Sequence, residues 1–174
     1  MQHYGAPTRL LDWTYSFYVA LFFAVEKSSQ SSQIWALDMS NYQVVTNEEA
    51  ENSIKSRWEI QKCKLQSVFA NDNPKLEVVA VNPYLLNQRL SIQQGLFLMP
   101  YNITESFKAN LFQGKRRPTK KTMIRFEIRP GIRKEILQNL HQMNINRATL
   151  FPGLEGFAQS LWTRLAVDDR MSAV

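Results

Sequence analysis

The longest uninterrupted apolar run in the chain, Phe17 to Val25, strongly limits what the chain can fold into. Its nine residues fall well short of the roughly 20 that a helix needs to cross a bilayer. The run also lacks the basic lead-in and the small-residue cleavage site of a signal peptide. We therefore expect a soluble, cytoplasmic protein in which this run is buried.

The same run predicts a helix over residues 15–27. Apolar side chains recur there at three- and four-residue spacings, as on one face of a helix; they are Tyr18, Leu21, Phe22 and Val25. The hydroxyl group of Thr14 or Ser16 is placed to accept a hydrogen bond from a free N–H group of the first turn. The Ser and Gln residues that follow, from Ser28 to Ser32, indicate an exposed loop.

Four later segments have the pattern of strands; they are Gln33 to Asp38, Leu76 to Val81, Leu96 to Met99 and Thr122 to Arg129. In the last of them, apolar residues alternate with charged ones, which predicts a strand with one exposed face.

Three further segments have helical spacing. Thr46 and Glu49 form a capping-box pattern ahead of Ile54, Trp58 and Leu65. The next two carry Ile132, Ile136, Leu137, Leu140 and Met143, and then Leu154, Phe157, Leu161, Trp162 and Leu165. The 174 residues, 44% of them hydrophobic, suffice for one core. We therefore predict a single α+β domain over 1–174, with a small mixed or antiparallel sheet packed by helices.

Several classes of site find no support in the sequence. Cys63 is the single cysteine, and with His3 and His141 far apart no Cys/His set has metal-ligand spacing. No glycine-rich phosphate loop and no G-x-S-x-G elbow occurs. We expect no metal, and we expect Cys63, which Lys62 and Lys64 flank, to be a structural thiol.

Positive charge is concentrated in one segment. Residues 115–134 hold nine Lys or Arg and one acidic residue, within a net charge of +6. Such a patch attracts phosphate-bearing partners, although charge runs on surfaces usually serve solubility alone. The candidate nucleic-acid contacts are Lys115, Arg116, Arg117, Lys120 and Lys121.

The segment 2–14, directly ahead of the apolar helix, is rich in polar and aromatic groups. Gly5 and Pro7 favour a tight, stiff turn, and Arg9 and Asp12 are spaced to form an ion pair that holds the loop. A rigid loop at a helix N-terminus suits an anionic ligand. His3, Tyr4 and Trp13 could stack on a base, and Thr8, Thr14 and Arg9 could bind phosphate or ribose oxygens. Each of these residues also has a structural interpretation, as a loop staple or a core side chain.

The string QHYGAPTRLLDWTYSFYVALFFA, at residues 2–24, resembles the signature of the FRG domain family. This is a group of mostly bacterial and phage proteins named after an N-terminal Phe-Arg-Gly motif. Two later stretches look like the same family: Arg89 to Phe97, which contains Gln93-Gln94-Gly95, and Thr149 to Phe157. Because no Phe-Arg-Gly motif precedes Gln2, the resemblance implies a domain that is incomplete at its N-terminus.

The layout is in turn similar to that of the ADP-ribosyltransferases, which bind NAD with three separated motifs on an α+β fold. The resemblance implies an NAD- or nucleotide-binding module of a bacterial toxin or phage-defence type. It assigns Gln94, beside Gly95, to the catalytic third-motif position. A neutral Gln can orient a ligand but supplies no negative charge to an oxocarbenium-like transition state. Glu127 is the other carboxylate of interest, and we expect it to be an exposed partner of Arg125 or Arg129.

Two alternatives remain open at this point. The chain could be a non-catalytic nucleic-acid-binding or interaction module that uses the basic segment, with the Gly5–Pro7 loop as scaffold. It could also be an inactive remnant of a larger FRG protein.

Overall fold

A computed structural model describes residues 8–28, 30–39, 75–83, 87–114 and 117–167, with side chains up to residue 161. Helices and strands alternate irregularly along these residues, so the predicted α+β class is confirmed. The strands are β1 (Leu11–Thr14), β2 (Ser32–Leu37), β3 (Val78–Val81), β4 (Gly95–Pro100) and β5 (Met123–Ile128). The helices are α1 (Phe17–Glu26), α2 (Gln88–Ile92), α3 (Phe107–Phe112), α4 (Arg133–Gln142), α5 (Arg147–Leu150) and α6 (Leu154–Val167), with a 3-10 turn at Pro130–Ile132.

The strands form two small sheets. One has the order β1–β4–β3, and the other pairs β2 with β5. Strands β3 and β4 are antiparallel, with Val78 opposite Pro100 and Val81 opposite Phe97. All four predicted strands are therefore confirmed, with ends that move by one or two residues. The helix predicted from Thr46 onward lies outside the described residues.

The chain divides into two compact units. Of the described residues, the first unit holds 8–12, 36–39, 75–83, 96–114 and 117–124. The second unit holds 13–28, 30–35, 87–95 and 125–167. The prediction of a single domain over 1–174 stays a prediction.

In the first unit, buried Val79 and Met99 pack with Leu10, Val81 and Tyr101. Helix α3 begins at the cap Ser106, whose hydroxyl group accepts a hydrogen bond from Ala109 N at 3.0 Å. Within this helix Asn110 is fully buried. Its amide donates to Asn102 O at 2.8 Å and accepts from Asn102 N at 2.9 Å. A buried amide that is satisfied in this way holds the preceding loop against the helix.

The core of the second unit forms around α1, as the apolar run predicts. The buried residues of α1 pack with residues of β2, β5, α4 and α5; together they are Val19, Phe22, Val25, Ile34, Ile128, Leu137, Leu140 and Leu150. Ser16 caps the helix by accepting from Val19 N at 3.4 Å. The predicted inward position of Tyr18 is wrong, because Tyr18 is 49% exposed and Val19 lies on the buried side instead.

The apolar side chains Leu154, Phe157 and Leu161 of α6 are exposed, and the predicted Trp162 and Leu165 lie beyond the side chains that the structure describes. Leu154, Phe157 and Leu161 are 88%, 54% and 45% exposed, whereas Gly156 and Ser160 are buried. A Cβ atom on Gly156 would come within 1.9 Å of the carbonyl oxygen of Phe151. The close approach of these two backbones turns the small residues of α6 inward.

Two other amphipathic predictions hold only in part. In α4, Leu137 and Leu140 are buried, but Met143, which follows the helix, is exposed. In β5, Ile128 is buried while Ile124 and Phe126 are exposed, so the apolar alternation there does not mark a buried face.

Candidate functional site

The structure describes part of the predicted ligand loop. His3, Tyr4, Gly5 and Pro7 lie outside the described residues. Of the loop residues that belong to the first unit, Thr8 and Asp12 are exposed and Arg9 is half-buried. Trp13 is half-buried and belongs to the second unit, as do Gln94 and Gly95.

The predicted catalytic residue, Gln94, lies in a tight turn between α2 and β4. We call Gln93, Gln94 and Gly95 the glutamine turn. Gln93 N donates to Arg89 O at 2.9 Å, and Gln94 N donates to Ser91 O at 3.1 Å. Gln94 has a φ of 49°, a left-handed conformation that side chains other than glycine adopt at a cost. Gln94 is also exposed, so the residue is accessible from solvent.

Gly95 completes the turn and begins β4. A Cβ atom at this position would lie 2.8 Å from Leu90 Cδ2. Glycine therefore allows the turn to close tightly on α2.

The end of β1 holds the glutamine turn from one side. Thr14 Oγ1 donates to Gln93 O at 2.7 Å and accepts from Ser16 N at 3.0 Å. Tyr15 N donates to Gln94 O at 3.0 Å. Thr14 therefore connects the start of α1 to a turn 79 residues further along the chain.

The last residue of α5 holds the turn from another side. The buried side chain of Gln93 donates from Nε2 to Leu150 O at 2.9 Å, across 57 residues of sequence. Helix α5 itself begins at a capping box of Asn146 and Thr149. Gln93 thus joins all three of the sequence stretches singled out above.

Beside this contact lies a group that we call the arginine cluster: Glu26, Arg89, Arg147 and Phe151. The guanidinium carbons of Arg89 and Arg147 each lie 4.4 Å from the centroid of the Phe151 ring. Arg147 Nη1 lies 2.5 Å from Glu26 Oε1, and only 11% of the Arg147 side chain and 8% of the Glu26 side chain are exposed. Aromatic faces attract guanidinium groups, most strongly where water is excluded.

Arg133 adds a further positive charge next to the cluster. Its guanidinium donates from Nε to Val25 O and from Nη2 to Glu26 O, both at 2.6 Å. These are carbonyl groups of the last turn of α1, where a cation also interacts favourably with the helix dipole.

The cluster was only partly visible in the sequence. Arg89 and Phe151 fall inside stretches that the family resemblance marks, but Glu26, Arg133 and Arg147 do not. No local pattern distinguishes these three from ordinary surface charges. Their partners are 107 to 121 residues distant, so only the tertiary contacts identify them.

The basic segment is described in part. Arg117, Lys120 and Lys121 are exposed, and so is Glu127 in β5. Lys115, Arg116 and Cys63 lie outside the described residues. In the part of the chain that the structure describes, no three His, Cys, Asp or Glu side chains are grouped so that they could hold a metal ion. No helix among the same residues has the length and apolarity required to span a membrane.

Comparison with known proteins gives one partial match. Residues 1–33 match the family model of the FRG domain. The match ends within β2, so it covers the first of the three resembling stretches and Glu26 of the arginine cluster, but not the glutamine turn or the other three members of the cluster. No curated protein and no solved structure matches the chain significantly.

Proposed function

We propose that this chain is a nucleotide-binding module, similar to ADP-ribosyltransferases, that binds NAD at the glutamine turn. The observation that carries the proposal is the meeting of three distant stretches at Gln93. The next residue of this anchored turn, Gln94, is exposed and has a strained backbone conformation. Strained, over-determined positions cluster at ligand sites, because the surrounding contacts must hold them in place.

The proposed role of Gln94 is to orient the ligand rather than to drive group transfer. An amide can both donate and accept hydrogen bonds, which suits the hydroxyl groups of a ribose. It cannot stabilise a developing positive charge as a carboxylate does. Glu26, the carboxylate of the arginine cluster, is already paired with Arg147. We therefore favour binding over catalysis; the role in a bacterial toxin or phage-defence system is a further proposal that rests on the family resemblance.

The proposal is tested by titrating NAD and ADP-ribose calorimetrically into the chain and into the variant Gln94→Gly. Glycine adopts positive φ without strain, so this variant keeps the turn and removes only the side chain. We expect it to bind about three- to tenfold more weakly, the loss typical of one neutral hydrogen bond.

Asn144→Gly is the matched control, since Asn144 also has a positive φ, of 60°, and follows α4. Its affinity for NAD should equal that of the unaltered chain. The proposal is refuted if the unaltered chain binds neither ligand, or if Gln94→Gly binds both as tightly as the control does.

A second candidate function, binding to single-stranded nucleic acid, is favoured by a different observation. Aromatic side chains on β2, α1 and β5 are exposed, and one of them lies next to a cation. Trp35 is 41% exposed, and the guanidinium of Arg125 lies 5.8 Å from the centroid of its ring. Phe126 is 40% exposed and contacts Phe17 edge to face. Exposed aromatic groups stack on bases, and nearby cations bind phosphates.

This second function predicts that an oligonucleotide quenches tryptophan fluorescence and that its affinity falls steeply with salt. The substitution Trp35→Ala should weaken binding by several-fold. An oligonucleotide affinity that is absent, or that does not change with salt, rules out the second function.

A further inference from the structure

The arginine cluster contains hydrogen-bond donors that the described chain does not satisfy. Arg89 Nε and Arg147 Nε are buried and have no hydrogen-bond partner within the described residues. Arg147 is compensated in part by its ion pair with Glu26. Arg89 forms no ion pair with any residue that the structure describes. Since buried polar groups in folded proteins are normally paired, the Nε donor of Arg89 calls for a partner that is not part of this cluster.

The charges of the arginine cluster and of the adjacent Arg133 favour an anion as that partner. Arg89, Arg133 and Arg147 bring three positive charges, and Glu26 brings one negative charge. Arg133 is bonded to neutral carbonyl groups, which leave its charge uncancelled. A positive excess in a half-buried position is strongly favourable for a bound anion, because charges interact more strongly there than in water.

We propose that Arg89 binds a phosphate group of the ligand, with the ring of Phe151 holding its guanidinium in place. This inference rests on the proposed nucleotide-binding function. An arginine fork donates two parallel hydrogen bonds to a phosphate. The ring of Phe151 restrains the guanidinium, which lowers the entropy lost when those bonds form.

The position of Arg89 connects this phosphate site to the glutamine turn. Arg89 O accepts from Gln93 N at 2.9 Å, so the two side chains start from adjacent turns of the backbone. Gln93 Nε2 in turn bonds the carbonyl group of Leu150, the residue before Phe151. A ligand with a ribose at Gln94 and a phosphate at Arg89 would therefore touch one continuous part of the second unit.

The test compares three titrations, with NAD, adenosine and inorganic pyrophosphate, on the unaltered chain and on Arg89→Gln. The control is Arg129→Gln, which removes one positive charge from an exposed position in the same unit. We expect Arg89→Gln to lose at least about tenfold in affinity for NAD and for pyrophosphate, the loss typical of a hydrogen bond to a charged group. Its affinity for adenosine, which has no phosphate, should not change.

Each outcome decides the matter. Equal losses in Arg89→Gln and Arg129→Gln would show a general charge effect and overturn the phosphate site. NAD binding that Arg89→Gln leaves intact would overturn this inference while the proposed function stands. Pyrophosphate binding that depends on Arg89, without NAD binding by the unaltered chain, would support the phosphate site and refute the proposed function. If none of the three compounds binds, both are refuted.

Thermal melting of each variant separates lost binding from lost folding. If Arg89→Gln does not fold, Arg89→Lys takes its place, because it keeps the charge and the apolar stem but not the planar fork. We expect Arg89→Lys to bind pyrophosphate more weakly than the unaltered chain by several-fold. Equal affinity in a folded Arg89→Lys variant would contradict recognition by the arginine fork.

Discussion

Substituting Gly156 with alanine tests the close contact that places Phe151 in the arginine cluster. A Cβ atom on residue 156 would lie 1.9 Å from Phe151 O, 2.7 Å from Phe151 Cβ and 2.8 Å from Phe151 C. Carbon atoms in contact prefer separations of about 3.5–4.0 Å, so one of the two backbones must move. A backbone carbonyl group cannot rotate away as a flexible side chain can.

The size of the effect follows from two opposing terms. Overpacking in a well-packed region costs about 1–3 kcal/mol, and contact with a backbone places this case at the upper end. Replacing glycine by alanine within a helix returns about 1 kcal/mol. We therefore expect Gly156→Ala to lose about 2 kcal/mol of stability, which in a chain of this size lowers Tm by about 4–8 °C.

Gly131→Ala is the matched control, because no atom lies within 4 Å of a Cβ atom at that position. It should leave the urea midpoint unchanged or raise it slightly, since alanine restricts the unfolded chain. Gly156→Ala should lower the midpoint, and by displacing Phe151 it should also weaken NAD binding. A Gly156→Ala protein as stable as Gly131→Ala would refute the close contact between residue 156 and Phe151.

Two further predictions concern stability. Gln94→Gly and Asn144→Gly each remove the strain of a side chain at positive φ, so each should raise the free energy of unfolding by up to about 1 kcal/mol. The gain should be smaller at residue 144, because asparagine tolerates this conformation better. A loss of stability in Gln94→Gly would contradict the strained turn. Asn110→Ala should cost about 1–3 kcal/mol in urea unfolding, because it removes the fully buried amide that pairs half-buried backbone groups of Asn102. A change below about 0.5 kcal/mol, as expected for exposed surface positions, would contradict that role.

Local sequence signals predicted most of the described helices and strands. The apolar run predicted the position of α1, and Ser16, one of the two hydroxyl residues proposed as its N-cap, caps the helix. The glutamine turn was marked by its residues, Gln93 to Gly95, but its anchoring by Thr14 and Leu150 was not. Capping and apolar periodicity act over a few residues, so they can be recognised without knowing the rest of the fold.

Periodicity failed where a tertiary contact overrode it. The apolar residues of α6 have helical spacing, yet Leu154 and Phe157 are exposed, and Gly156 faces inward. Spacing shows that apolar side chains share a face, but not that the face is covered. Close contact with Phe151 is possible only for a residue without a Cβ atom, and that contact sets the orientation of α6.

The sequence by itself determined the α+β class, the apolar helix α1 and the three stretches that carry the family resemblance. Only the tertiary structure brought those stretches together at Gln93 and grouped Arg89, Arg147 and Glu26 around Phe151. The physical reason is the range of the forces involved. Hydrogen bonds and cation–π contacts act only over a few ångströms, so pairs up to 121 residues apart are decided by how the core packs.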